Sequence, residues 1–303
     1  MKIVTVIPLK RGILKEELTY FSAQKIPIGS IVSVPVRNKK ILGLVILIED
    51  VSKIKSNIKN MDFNLKKIIE IKKQSIFKKE FIESAQLTSK YFLSKINVGI
   101  NSLLPTVLKD KYDEIANLVK KNNLTLPPLL PGEGLGEVKK IKSEKLLFQA
   151  KLEDRISFYK TLIRESFAKK KSIFFVLPTE HDIKIFSELL SIGIENFFIT
   201  LYGNQSRKKQ LENIKKIIEN THPVIIVGTA PFLSIPRWDF ETIILEHESS
   251  NAYRMISPPH FDLKIFAEIY ASKINAKFIM ADSLLAFETI ARKETDNFGE
   301  VYP

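Results

Sequence analysis

The sequence predicts an α/β protein in two unequal parts, a small β-rich unit followed by a larger layered unit built on a parallel sheet. Three observations carry this. Short β-branched runs separated by turn residues fill the first third of the 303 residues. From about Glu144 onward, apolar strand-like runs alternate with helical stretches. Between them lies a segment dense in Pro and Gly, which stop regular structure. The expected boundaries are 1–108 for the first unit, 109–143 for a linker and 144–303 for the second unit.

In the first unit, Ile3–Leu9, Ser30–Pro35, Ile41–Ile48 and Leu65–Ile71 read as strands. Gly12, Pro27–Gly29, Arg37–Lys40 and Ser56–Asn60 read as the turns between them. Lys78–Leu93 has helical spacing, with Phe81, Ala85, Thr88 and Phe92 on one face. Within 109–143 a short helical piece, Asp113–Lys121, leads to the Pro- and Gly-dense stretch Leu126–Gly136. Gly132, Gly134 and Gly136 lack the preceding strand and following helix that a phosphate-binding loop needs, so they read as linker.

In the second unit the predicted helices are Ile156–Phe167, Thr179–Leu190, Ser206–Glu219, Phe261–Ser272 and Ser283–Lys293. The predicted strands are Ser172–Leu177, Asn196–Leu201, Val224–Gly228, Thr242–Leu245 and Lys277–Met280. Runs such as Ser172-Ile-Phe-Phe-Val-Leu177 are continuously apolar, as strands covered on both faces are.

Composition narrows the function classes. No cysteine is present, which removes disulfides, thiol catalysis and Cys-based zinc sites. His181, His222, His247 and His260 have no metal-ligand spacing, so no metal site is expected. No apolar run approaches the length of a membrane span, so no membrane partner is expected. The net charge of +13 is uneven: residues 1–108 hold 19 Lys/Arg against 8 Asp/Glu, and residues 109–303 hold 28 against 26. A generally Lys-rich composition would load both halves alike. The asymmetry points to a polyanionic partner for the first unit, with nucleic acid the natural class.

Ligands of such a sheet bind at the C-terminal strand ends. The stretch before the helix at 156 contains no glycine to cradle a phosphate and carries Glu153 and Asp154. After strand 242–245 come Glu246-His247-Glu248, two carboxylates that read either as hard oxygen ligands or as a polar strand end. Asp282 or Ser283 reads as the N-cap of the last helix.

The order of these blocks resembles the primosomal replication-restart helicase family (primosomal protein N′, PriA) over nearly the whole chain. The matching blocks in the first unit are Leu18-Thr-Tyr20, Gly29-Ser-Ile-Val-Ser-Val-Pro35, Gly43-Leu-Val45, Leu65-Lys66-Lys-Ile-Ile and Asn97-Val-Gly99 with Leu104-Pro105. In the second unit they are Val224–Pro236 and Ile243–Arg254.

The resemblance implies a 3′ DNA-end-binding domain followed by the first RecA-like (P-loop NTPase type) helicase lobe. DNA-binding residues carried over from it are Leu18, Thr19, Tyr20, Arg37 and Lys66. Leu18 stands where the family has an aromatic, Thr19 where it has Asp, and Arg37 near an expected glycine. Tyr20 reads either as a base-stacking aromatic or as a core residue.

Arg155 falls on the Walker A lysine, Glu246 on the metal-holding Asp of Walker B and His247 on its catalytic Glu, with Glu248 following. ATP and Mg²⁺ belong to the family, and their loss is expected here. The expected function is a DNA-binding protein of replication restart, cytoplasmic and nucleoid-associated, recognising branched, single-stranded or 3′-ended DNA without ATPase activity. Replication-restart proteins are its expected partners. Two alternatives stand beside it: an ATP-dependent 3′–5′ helicase subunit needing a second lobe, and a non-catalytic protein-interaction scaffold.

Overall fold

The computed structural model describes residues 2–9, 17–24, 26–37, 39–50, 65–73, 76–121 and 143–302. The predicted turns at Gly12 and Ser56–Asn60, and the linker glycines 132, 134 and 136, lie outside the described residues.

Six strands form the first sheet: β1 (Lys2–Pro8), β2 (Leu18–Ser22), β3 (Ile31–Val36), β4 (Lys39–Asp50), β5 (Lys66–Lys67) and β6 (Glu70–Lys73). Their order is β5-β2-β1-β4-β3-β6. The order closes on itself. Between β5 and β6, the Ile68 N–H donates to Phe21 O in β2 and the Ile69 N–H to Ser33 O in β3. The predicted strand 65–71 is thus two short strands with a crossing between them. Val4, Val6, Tyr20, Val32, Val34, Val45 and Ile68 fill the inside of the curl. Gly29 sits at φ +82°, where a Cβ would lie 1.9 Å from Phe77 O. Its carbonyl accepts from the Ile76 and Phe77 N–H groups, so only glycine permits this close return of the chain.

Helices α1 (Lys79–Tyr91), α2 (Ile96–Leu103), α3 (Thr106–Asp110) and α4 (Tyr112–Lys121) follow. Of the predicted apolar face of α1, Phe81, Ala85 and Thr88 are buried, and Phe92 packs against the same core.

The second sheet has seven strands: β7 (Lys145–Gln149), β8 (Ser172–Val176), β9 (Phe198–Leu201), β10 (Ile225–Gly228), β11 (Phe240–Glu246), β12 (Lys277–Asp282) and β13 (Gly299–Glu300). Their order is β13-β7-β12-β11-β8-β10-β9, and every pair is parallel. Helices α5 (Leu152–Ala168), α6 (Glu180–Leu190), α7 (Arg207–Glu219), α8 (Leu263–Lys273) and α9 (Phe287–Thr295) connect them. This is the layered α/β arrangement on a parallel sheet that the sequence predicts. β7 and β13 escape a sequence reading. β7 is five residues with a charged start, and β13 is only two.

α5 and α6 cover one face of the sheet through Ile156, Tyr159, Ile163, Ile183 and Phe186. α7 and α8 cover the other through Ile214, Ile217, Phe266 and Tyr270, and the core there is continuous with Phe81, Ile100, Leu103, Val107 and Ile115 from α1–α4. Phe81 meets Phe266 edge-to-face at 5.9 Å, a geometry worth about 0.5–1.5 kcal/mol beyond area burial. Arg207–Asp110 and Lys215–Glu114 ion pairs flank the α4–α7 contact. Among the described residues no helix is long and apolar enough to cross a membrane.

Candidate nucleic-acid interface and strand-end cluster

The first sheet gathers the residues predicted to meet DNA. The parallel β2–β5 pair sets Lys66 opposite Tyr20 and Lys67 opposite Phe21. Leu18 and Thr19 begin β2, both half-buried, facing Val6 and Thr5 of β1. Arg37 is exposed in the β3–β4 turn at φ 51°, with exposed Lys39 and Lys40 just beyond it. Lys66 and Lys67 are also exposed.

Tyr20 departs from the stacking reading. It is 4% exposed, and its hydroxyl donates to Pro35 O at 2.9 Å. β2 and β3 are not neighbours in the sheet, so this bond spans the inside of the curl. Burial raises the phenol above its ordinary pKa. Tyr20 is therefore a core residue that brings Pro35, and with it the Arg37 turn, towards β2. The accessible polar atoms of the region belong to Lys66, Lys67, Arg37, Lys39 and Lys40 instead.

At the C-terminal ends of the parallel strands a second cluster forms. Only Ala150 and Lys151 separate β7 from α5, leaving no loop for a phosphate, and the first turn of α5 carries Glu153 and Asp154. Arg155, 1% exposed, turns inward from α5. Its Nε donates to Glu246 Oε1 at 2.8 Å, and Nη2 lies 2.6 Å from the same oxygen. Nη1 donates to Ala150 O and, at 3.0 Å, to Ser283 Oγ. The other Glu246 oxygen accepts the Tyr159 hydroxyl. Burial pushes the Glu246 carboxyl up, and Arg155 and Tyr159 pull against that.

Glu248 is equally committed. Its carboxylate accepts from Lys264 Nζ at 2.8 Å, the Ala286 N–H at 2.7 Å and Thr289 Oγ1 at 2.6 Å. This corrects the expected cap of the last helix. α9 begins at Phe287, and the N–H just before it goes to Glu248 rather than to Asp282 or Ser283. Asp282 instead accepts from the backbone and hydroxyl of Ser249. His247, at φ 54°, directs Nδ1 to Asp182 at 3.1 Å.

Three strand ends that would surround a triphosphate thus converge on an internal cation. The donors and acceptors suited to Mg²⁺ and phosphate are already paired within the protein, and the residues present do not fit that ligand. Among the described residues no three His, Asp or Glu side chains converge as a metal site would.

Residues 4–105 match the family model of the PriA 3′DNA-binding domain (3′BD). The N-terminal third of this chain is thus similar to the PriA 3′BD. The replication restart protein PriA of Rickettsia conorii is 22% identical over 278 residues, 89% of this chain and 41% of the relative. PriA of Helicobacter pylori strain J99 is 24% identical over 285 residues, 91% and 42% respectively. The chain therefore spans about two fifths of the length of the PriA relatives it matches.

Among solved structures, the UvsW helicase of bacteriophage T4 aligns with a TM-score of 0.35 at 12% identity, covering 53% of this chain and 54% of that one. The C-terminal part of the Fun30 ATPase domain aligns with a TM-score of 0.30 at 14% identity, covering 47% and 54%. The PriA 3′BD match ends at Pro105, inside the helical layer that joins the two sheets.

Proposed function

We propose that the chain binds DNA through the cationic rim of its curled N-terminal sheet. Its targets are branched or 3′-ended DNA in replication restart, and its parallel unit is a fixed scaffold without ATPase activity. One observation supports this above others: within the segment matching the PriA 3′BD, exposed Lys66 and Arg37 lie on elements that the curl brings together. Lys66 and Arg37 hold backbone phosphates, while Leu18 and Thr19 line the adjoining start of β2. The site of action is the nucleoid, and the protein partners are replication-restart proteins.

The test is binding to a labelled fork with a free 3′-hydroxyl arm and to the same fork with that end blocked, over a salt series. Phosphate contacts release counterions, so affinity falls steeply as salt rises. A preference for the free end supports 3′-end recognition. Equal, salt-sensitive binding leaves a non-specific binder, and salt-independent binding overturns the reading. ATP turnover that is stimulated by the fork and abolished by Glu246→Ala would replace the scaffold reading with that of a helicase subunit.

A further inference from the structure

The Arg155 guanidinium is bound as a ligand is bound. It is 1% exposed and meets acceptors from three strand ends: Ala150 after β7, Glu246 at the end of β11 and Ser283 after β12. These acceptors are separated by dozens of residues in sequence. The planar fork meets them together, two nitrogens on one carboxylate oxygen and the third on a carbonyl and a hydroxyl. A lysine ammonium, a point charge on a flexible stem, cannot span that set.

Around this centre the remaining strand-end groups are tied in turn. The Tyr253 hydroxyl donates to Glu246 O, Ser249 to Asp282, and the Ala286 N–H to Glu248. The surface built on 247–253 and 283–287 therefore stands on Arg155 at Glu246, with Lys264 holding the neighbouring Glu248.

We propose that the parallel unit contains a guanidinium-binding site which the chain fills with its own Arg155. The tethered cation holds the ends of β7, β11 and β12 in one arrangement permanently, where an exchangeable ligand would let them switch. The inference concerns the parallel unit alone and stands or falls independently of whether the N-terminal sheet reads 3′ ends.

The test is Arg155→Ala in the full chain, followed by thermal unfolding with ethylguanidinium chloride well below denaturing concentrations. Ethylammonium chloride and sodium chloride at equal ionic strength serve as controls. The expected result is a lowered midpoint of which ethylguanidinium, saturably, restores at least half, while the controls and the wild type show no such rise. Absence of a saturable rise, or an equal rise with ethylammonium, overturns the proposal.

If Arg155→Ala does not accumulate as folded protein, Arg155→Lys keeps a charge but loses the fork. Hydrogen exchange at Ala150, Ser249 and Ala286 should then be roughly tenfold faster or more, the equivalent of one charged hydrogen bond. Unchanged exchange at those three amides overturns the proposal equally.

Discussion

The Lys78 ammonium lies 4.7 Å from the centre of the Trp238 ring and 5.4 Å from that of Phe240, so a cation from the N-terminal unit is seated on aromatic residues of the parallel unit. Lys78 is 3% exposed, and burial lowers its pKa from 10.5 to about 7, opposed by Glu80 and Asp239 and assisted by Arg237. Below pH 7 both folded and unfolded chains carry the proton, and the full cost of burying it is present. Between pH 7 and 10.5 the unfolded chain binds the proton and the folded chain does not, so stability rises with pH. Chemical denaturation across that range should show a gain of about 1.4 kcal/mol per pH unit from this group. Lys78→Met should remove that slope.

Breaking the Arg155–Glu246 pair from the acid side should be equally visible. Glu246→Ala leaves a guanidinium buried without its carboxylate, which costs about 3–5 kcal/mol. Tyr159→Phe removes one hydroxyl from the same carboxylate and should cost about 1.5–3 kcal/mol. Urea titration of the two variants checks both the size and the order.

On the DNA face, exposed cations and the buried tyrosine should separate cleanly. Lys66→Ala and Arg37→Ala should each weaken DNA binding across sequences and reduce the slope of log affinity against log salt by about 0.9. Their stability should stay close to wild type. Tyr20→Phe should leave the salt slope unchanged and cost about 1 kcal/mol of stability, because its hydroxyl is spent on Pro35. Fluorescence anisotropy over a salt series, paired with melting curves, distinguishes the two classes.

A small residue probes the seam between the units. A Cβ on Gly99 of α2 would lie 2.0 Å from Ser89 Oγ and 2.8 Å from the Phe261 ring. Gly99→Ala should therefore pry α2 away from α1 and from the parallel unit, destabilising by about 1–3 kcal/mol through overpacking. Calorimetry should show this as a downward shift of the midpoint.

How far the sequence was readable follows from the range of each interaction. β8 and β10 are legible because a strand covered on both faces must be apolar throughout, and Ser172–Leu177 and Val224–Gly228 are. α1 is legible because Phe81, Ala85 and Thr88 recur at helical spacing. β2 and β7 carry no such pattern, because their five-residue segments mix buried and half-buried positions, with one exposed residue in β7. The glycine-free turn before Arg155 is visible locally, whereas the identity of its partners is not. Glu246 is 91 residues away, and only the fold brings the two together. Glu248 capping α9 from 38 residues away is hidden for the same reason, which is why Asp282 and Ser283 stand out misleadingly by proximity. Tyr20 is the mirror case: the sequence leaves it open between a stacking aromatic and a core residue, and the closure of the sheet turns it inward.

The core shared by α1–α4 and α7–α8 has a practical bearing on dissection. A fragment cut at residue 105, where the 3′BD match ends, would turn Phe81, Ile100 and Leu103 out to water and uncover Val107 and Ile115 on the other half. The boundary visible to homology is not the cleavage plane of the molecule. Proteolysis or truncation there should yield two adhesive pieces rather than a free-standing module and its remainder.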